Sequence, residues 1–129
     1  MPRRGYRGAT AYARAKRAQV ALSGEWARRT DPAAVAFHAM HPGWADTPGL
    51  AASLPRFRRL ARPVLRTPDQ GADTIVWLAT AAPGPLGTGR FWHDRRPRPE
   101  HLLPWTRADP SAARRLWECI ELATADLVA

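Results

Sequence analysis

Ala34-Val35-Ala36-Phe37-His38-Ala39-Met40-His41-Pro42-Gly43 is the segment that most constrains the fold of this chain. Its first seven residues are mostly apolar and do not alternate with polar ones, which indicates a strand covered on both faces, as in a parallel sheet. The Pro-Gly pair then stops the strand. Because an open α/β sheet binds its ligands outside the carboxyl ends of the strands, we expect a site at Pro42 and Gly43.

The segment before this strand has the pattern of a helix. We expect the helix to begin at Thr10, whose hydroxyl can cap the first backbone amides, and to run to about Arg29. Its apolar residues recur every three or four positions, the spacing of a helix that buries one side. They are Ala11, Ala15, Ala18, Leu22 and Trp26, and the adjoining polar stripe is Tyr12, Lys16, Gln19 and Ser23.

Tyr12 and Lys16 form a candidate acid–base pair on that helix. Lys16 is the single lysine among 20 basic residues, and side chains four positions apart share a helix face. An unperturbed phenol has a pKa of ~10, and a neighbouring cation favours the phenolate, so such a pair can transfer protons near neutral pH. The alternative is a helix whose lysine is merely solvated, because a short motif alone is weakly specific.

The remaining elements follow in order along the chain. We expect the segment 44–66 to be a loop with one or two short helical turns that covers the site. Thr67-Pro68-Asp69-Gln70 has the features of a capped helix start. The expected buried face of that helix is Gly71, Ile75 and Leu78, beside Ala72, Val76 and Ala79.

Three segments complete the sequence. The stretch 89–94 has the pattern of a short strand, and 95–107 has that of a loop rich in Pro and Arg. The stretch 109–127 is predicted to be a helix that opens at Asp109 and Pro110. Its expected buried face is Leu116, Ile120, Ala123 and Leu127.

Length and composition limit the class of protein. At 129 residues, with 45% hydrophobic and 24% charged residues, the chain is expected to form one domain with a core. No apolar run approaches the ~20 residues of a membrane helix, and no signal peptide follows the basic start. We therefore expect a cytoplasmic protein with no membrane partner. Cys119 is the single cysteine and the histidines lack ligand spacing, so we expect no metal site.

The net charge of +9 raises the question of nucleic acid. The arginines are spread along the chain, without an aromatic-rich strand signature or a Cys/His finger. The composition therefore does not favour a nucleic-acid partner, although a basic nucleic-acid binder stays an alternative function.

Two motifs and the order of elements resemble the second half of a short-chain dehydrogenase/reductase, a Rossmann-type family. Tyr12 and Lys16 match the family's YxxxK pair. Pro42-Gly43-Trp44-Ala45-Asp46-Thr47 matches the Pro-Gly and the later Thr that meet the nicotinamide end of the cofactor. The stretches 12–20, 41–49, 70–74 and 89–97 are similar to the subgroup called dehydrogenase/reductase SDR family member 12.

The resemblance implies an α/β fold, the C-terminal part of a Rossmann-type doubly wound parallel sheet that lacks the N-terminal strands. Residues 1–129 would be the C-terminal half of a single domain. Within it, 1–9 would be an irregular lead-in, 44–66 the substrate loop or lid, and 109–127 the C-terminal helix.

The resemblance also implies an activity and the residues that perform it. The activity is hydride transfer between NAD or NADP and a small carbonyl or alcohol substrate. Tyr12 would be the general acid or base, and Lys16 would favour its phenolate and hydrogen-bond the nicotinamide ribose. Pro42, Gly43 and the Trp44 backbone would line the nicotinamide pocket, and Thr47 would hold the carboxamide.

Other parts of the family's site have no counterpart in this sequence. The family takes the pyrophosphate on a Gly-rich turn at a helix N-terminus, and no GxxxGxG occurs in these 129 residues. No Ser precedes Tyr12, where the family has its catalytic Ser. We therefore expect an N-terminally truncated chain that is marginally stable and inactive alone. The alternative is a non-catalytic interaction module, either a homo-oligomer or one that pairs with a complete homologue.

Overall fold

The computed structural model describes residues 5–101, 103, 106, 107 and 109–127. Its helices are α1 (Gly8–Arg29), α2 (Pro48–Ser53), α3 (Pro55–Ala61), α4 (Pro68–Thr80), α5 (Pro83–Leu86) and α6 (Pro110–Thr124). Its strands are β1 (His38–Met40), β2 (Arg90–His93) and β3 (Arg96–Arg98), and turns of 3₁₀-helix follow α3 at Arg62–Val64 and α6 at Ala125–Leu127. Within the described residues, no helix combines the length and apolar character needed to cross a bilayer.

The sheet is small and mixed. Its strand order is β1-β2-β3, and β2 pairs antiparallel with β3, with Trp92 opposite Pro97. The prediction of a mixed helix and strand fold is confirmed, but the prediction of an all-parallel sheet is wrong for β3. The sequence pattern favours a loop there, because Pro97 lacks an N–H and proline is restricted to edge strands.

The hairpin turn between β2 and β3 has an unusual backbone. Asp94 and Arg95 both have positive φ, 54° and 55°, as a two-residue hairpin turn of type I′ requires. Aspartate is common at the first position of such a turn, but glycine is usual at the second, so Asp94-Arg95 gives only half of the sequence signal. Here tertiary contacts hold it: Arg66 pairs with Asp94, Asp73 pairs with Arg95, and the Arg95 N–H donates to Thr74 Oγ1 at 3.3 Å.

The chain divides into two compact units. We call them the α1 unit, which comprises the residues up to Ala39, 87–90 and those from Pro99 onward, and the α4 unit, which comprises 40–86 and 91–98.

In the α1 unit, α1 packs against α6 through aromatic rings. Trp26 lies edge-to-face with Trp117 at 5.7 Å between ring centroids and stacks on Phe37 at 5.8 Å. The Arg29 guanidinium lies 4.5 Å from the Trp117 ring centroid. Glu25 is buried and pairs with Arg28 and Arg29. Burial raises the pKa of Glu25, but the hydrogen bonds and charges of those two arginines outweigh it, and the net pKa is lowered.

The start of α1 differs from the prediction. The helix begins at Gly8, with Arg7 before it and no side-chain cap, so Thr10 lies inside the first turn and does not cap. Of the predicted irregular lead-in 1–9, the first four residues lie outside the described residues, and the last two already belong to the helix. The expected apolar stripe of α1 is at most half-buried.

The helix α6 has the predicted cap but not the predicted buried face. Asp109 caps it by accepting from the Ser111 N–H at 2.9 Å. Ile120 and Leu127 are exposed, because Trp117 makes the ring contact with α1. The apolar periodicity therefore identifies the helix without identifying the residue that packs.

In the α4 unit, Trp92 is the centre of packing. It is 3% exposed, lies edge-to-face with Trp77 of α4 at 5.3 Å, and its carbonyl accepts from the His41 N–H at 2.9 Å. Leu86 is also buried. These two are the buried hydrophobic side chains among the residues that the structure describes, a small core for a chain of 129 residues.

The start of α4 confirms the predicted capping box. Thr67 Oγ1 accepts from the Gln70 N–H at 3.2 Å, and Gln70 Oε1 accepts from the Thr67 N–H at 3.0 Å. The predicted buried face is mostly wrong, because the buried residues are Gly71 and Thr74, while Ile75 and Val76 are 55% and 57% exposed. The periodic pattern shows which side chains of the helix are apolar. Which of them are buried depends on where another element packs against the helix.

Two further segments differ from expectation. The strand β1 is shorter than the predicted 34–40, because Ala34 and Val35 donate their N–H groups to the Asp31 carbonyl and form a turn instead. The segment 44–66 contains α2, α3 and a 3₁₀ turn, so it is more helical than predicted.

We predict that Thr67→Ala lowers the free energy of unfolding by about 1 kcal/mol, because it removes the hydroxyl that accepts from the Gln70 N–H. The matched control is Thr10→Ala, which should cost little or nothing, since Thr10 caps no helix and alanine favours helical backbone. Urea unfolding followed by circular dichroism measures both. Equal losses in the two variants would contradict the assigned helix starts.

Candidate functional site

Tyr12 and Lys16 share one side of α1, as their spacing predicts. The Lys16 Nζ lies 5.7 Å from the centroid of the Tyr12 ring and donates to Gln19 Oε1 at 3.1 Å. Gln19 in turn accepts at its carbonyl from Ser23 Oγ, so the polar stripe is linked along the helix. Tyr12 is 66% exposed, which leaves its hydroxyl accessible to a ligand.

The turn after β1 is held in a left-handed conformation by its neighbours. Gly43 has φ of +77°, and its N–H donates to Nδ1 of His41 at 2.9 Å. A Cβ on Gly43 would lie 2.7 Å from Nε of Arg66. Glycine is thus required twice, by the backbone angle and by the arginine that covers it.

Arg66 ties this turn to the rest of the α4 unit. Its N–H donates to the Trp44 carbonyl at 2.8 Å, its carbonyl accepts from the Asp46 N–H at 2.8 Å, and its side chain reaches the Pro42 carbonyl at 3.4 Å. The same guanidinium pairs with Asp94, with Nη2 2.8 Å from Oδ2. That hydrogen bond lowers the pKa of Asp94 below its usual value.

Thr47 and Trp44 have local structural partners. Thr47 Oγ1 accepts from the Leu50 N–H at 3.2 Å and caps α2. Its own O–H is still a donor. The Trp44 ring lies 4.8 Å from the Phe57 ring, and its side chain is exposed.

The predicted site residues fall into two groups. Tyr12 and Lys16 belong to the α1 unit, where they lie together. Pro42, Gly43, Trp44 and Thr47 belong to the α4 unit and follow one another along the chain after β1.

Sequence reasoning missed three residues that hold the Gly43 turn, namely His41, Arg66 and Asp94. His41 could have been found, since an imidazole Nδ1 can accept from the N–H two residues later, much as an Asx oxygen does in a turn. Arg66 and Asp94 carry no local signal, because they are distant from the turn in sequence.

The electrostatic surroundings of His41 favour its neutral form. The His41 and His93 rings lie 5.7 Å apart between centroids. Burial lowers the pKa of His41, and the charges of His93 and Arg66 lower it further. A neutral Nδ1 is also what the Gly43 hydrogen bond needs. The described residues contain no group of three or more His, Cys, Asp or Glu that could hold a metal ion.

A shallow cavity of about 520 Å³ lies beside this turn and is lined by Arg66, Asp69, Gln70, Asp73 and Asp94. Its lining is polar and includes none of the predicted cofactor-binding residues. The cavity is therefore separate from the residues that the sequence predicts to bind the cofactor.

We predict that the stability of the α4 unit falls as the pH is lowered from about 8 to about 5. A histidine whose pKa is lowered in the fold contributes stability above its unfolded pKa of ~6.5, and this is lost as the pH falls through the folded value. His41→Asn retains an acceptor near the Nδ1 position and cannot titrate, so its pH dependence should be weaker. The hydrogen bond at stake contributes about 1 kcal/mol.

Urea midpoints of the two proteins across this pH range measure the effect. Burial also lowers the pKa of His38, which belongs to the α1 unit, so a pH dependence of that unit should survive in the variant. Identical pH dependence in both proteins would show that the His41–Gly43 bond does not respond to protonation.

Comparison with curated proteins shows clear relatives. The chain is 43% identical to dehydrogenase/reductase SDR family member 12 of Bos taurus over 121 residues, 92% of this chain and 38% of that protein. It is 36% identical to a putative daunorubicin C-13 ketoreductase, DnrU, of Streptomyces sp. (strain C5), over 94% of this chain and 40% of that protein. It is 32% identical to retinol dehydrogenase 14 of Mus musculus, over 91% of this chain and 36% of that protein.

No family model matches the chain, and no solved structure matches it. The chain spans less than half the length of each of these three relatives, and each of them is named as a dehydrogenase or reductase. Over the stretch that it covers, the sequence belongs with those of the short-chain dehydrogenases/reductases.

Proposed function

We propose that this chain supplies the proton-transfer pair and the nicotinamide-contacting turn of an NAD(P)-dependent oxidoreductase that acts on a small carbonyl or alcohol. The observation that supports the proposal best is the pairing of the single lysine with Tyr12 on an accessible side of α1, in a sequence related to dehydrogenases and reductases. The activities in the names of these relatives favour this function over nucleic-acid binding.

Tyr12 is the proposed general acid for carbonyl reduction and the general base for the reverse reaction. Its exposed hydroxyl can approach a substrate oxygen, and positioned proton transfer of this kind accelerates a reaction by about 10²–10⁴-fold. Lys16 is proposed to favour the phenolate by its charge. The ammonium has three donors and uses one of them for Gln19, so it can also bind a ribose hydroxyl.

The residues of the turn fit the nicotinamide end of a dinucleotide. Gly43 lacks a side chain and adopts φ of +77°, so a planar ring can approach the backbone once the Arg66 side chain that covers it moves aside. Thr47 retains its hydroxyl hydrogen for a carboxamide oxygen, since the helix cap uses only its acceptor capacity. When bound, the dinucleotide supplies or accepts the hydride.

The pyrophosphate end has no matching residues in these 129 residues. A dinucleotide phosphate group needs backbone amides of a Gly-rich turn at a helix N-terminus, and the sequence contains no such turn. We therefore propose that the 129-residue chain is inactive alone, and that activity needs polypeptide carrying that turn and a catalytic Ser.

The test joins residues 1–129 to the N-terminal segment of a complete short-chain reductase that carries its own Gly-rich turn and catalytic Ser. We predict NADH or NADPH oxidation with ketone or aldehyde substrates by the fusion and none by the 129-residue chain alone. Tyr12→Phe in the fusion should lower kcat by about 10²–10⁴-fold. Lys16→Arg should also lower activity, because a planar guanidinium is a poor substitute for a compact ammonium.

The matched control is Tyr6→Phe, which removes the hydroxyl of the other tyrosine, also exposed, and should leave kcat unchanged. Cofactor binding measured by nucleotide fluorescence checks that each fusion is folded. Full activity of a folded Tyr12→Phe fusion, or turnover by the 129-residue chain alone, would refute the proposal.

A further inference from the structure

Large apolar side chains are exposed together in the segment 54–64, which contains α3 and the 3₁₀ turn after it. Leu60 and Val64 are 81% and 80% exposed, and Leu54 and Phe57 are also exposed. Phe57 and Leu60 belong to α3, Leu54 precedes it and Val64 lies in the 3₁₀ turn. Their spacing of three, three and four residues is that of one side of a helix. Leaving such a row in water is unfavourable, since each side chain gains free energy when it is removed from solvent.

Arginines occupy the rest of the helix circumference. The segment contains Arg56, Arg58, Arg59 and Arg62. These arginines lie between the apolar positions in sequence. At helical spacing they fall on one side and the apolar residues fall on the other. This amphipathic pattern is that of a helix lying in the plane of a membrane interface, with arginine and aromatic or aliphatic residues on opposite sides.

The charge of this surface is of one sign. No Asp or Glu occurs between Thr47 and Arg66. Asp46 is paired with Arg58, with Nη2 2.9 Å from Oδ2. Within the described residues, the salt bridges involve none of Arg56, Arg59 and Arg62. Arg62 is close enough to lower the pKa of Asp46 by its charge, but neither it nor Arg56 or Arg59 forms a salt bridge there, so their guanidinium donors can meet an anionic partner beside the apolar row.

We propose that the segment 54–64 binds the surface of an anionic lipid bilayer. Leu54, Phe57, Leu60 and Val64 would enter the boundary between headgroups and acyl chains, while the arginines contact lipid phosphate and carboxylate groups. The exposed Trp44 ring, which lies against Phe57, adds an aromatic side chain of the kind enriched at membrane interfaces.

An anionic bilayer matches both the apolar row and the arginines of the segment 54–64. A nucleic acid would match the arginines and leave the apolar row in water. A purely apolar groove would match the row and leave the cations desolvated without partners. Surface binding needs no spanning helix, so it revises the expected absence of a membrane partner, which rests on the lack of a spanning stretch. The segment lies within the expected substrate loop 44–66, but the two proposals are tested separately, because vesicle binding is measured without turnover and turnover without vesicles.

The test is sedimentation of the full 129-residue chain with phosphatidylcholine vesicles that contain or lack phosphatidylserine. We expect binding to the phosphatidylserine vesicles that weakens with added salt. The double variant Leu60→Glu/Val64→Glu should bind at least about tenfold more weakly. The matched control Leu122→Glu/Leu127→Glu changes two leucines of similar exposure, 79% and 82%, outside the segment and should bind as the unmodified chain does.

A second pair of variants separates local from overall charge. Arg56→Gln/Arg59→Gln/Arg62→Gln should weaken binding, whereas Arg14→Gln/Arg96→Gln/Arg114→Gln removes the same net charge from exposed positions elsewhere and should weaken it much less. Equal losses in the two triple variants would overturn the proposal, because binding would then follow net charge alone.

A direct readout does not depend on how well each variant folds. In a Cys119→Ser background, an environment-sensitive dye on Leu60→Cys should brighten with phosphatidylserine vesicles, and the same dye on Leu122→Cys should not. No brightening at position 60, or equal brightening at both positions, would overturn the proposal. Unchanged vesicle binding by Leu60→Glu/Val64→Glu would also overturn it.

Discussion

The burial of Trp92 is the constraint on which the α4 unit depends. Its ring packs on Trp77 of α4, while its carbonyl accepts from the backbone N–H of His41. Trp92 thus contacts α4 through its ring and holds, through its carbonyl, the residue that directly precedes Pro42 and Gly43. With so few other buried apolar side chains in the described residues, the position of the candidate turn follows largely from this contact.

Beyond that contact, the turn is defined by a layer of polar interactions. Gly43 has a left-handed backbone, and its N–H is held by His41. Arg66 fills the space where a Cβ would lie, so a residue with a side chain does not fit there. Arg66 is itself oriented by Asp94, whose own backbone is left-handed. Exposed ion pairs contribute little to stability, so their effect here is geometric: they give the residues of the turn one arrangement.

The exposed apolar residues show why periodicity predicts helices better than it predicts buried faces. Spacing and capping signals predict the helices α1, α4 and α6, and each lies close to its expected range. The same spacing predicts that Ile75, Val76 and Leu127 are buried, yet they are exposed. A repeat of 3.6 residues says that one side of a helix is apolar, but a side is buried only where another element lies against it.

Local features could be read from the residue order: the capping box at Thr67, the cap at Asp109, the turn signal at Pro42 and Gly43, and the shared helix side of Tyr12 and Lys16. Each depends on residues within four positions of one another, so backbone geometry is enough to specify it. Other features came from the folded chain alone, namely the role of Arg66 at the turn, the place of Pro97 in an edge strand, and the contacts that hold the hairpin at Asp94 and Arg95. These depend on contacts between residues distant in sequence, and no local pattern encodes which of them meet.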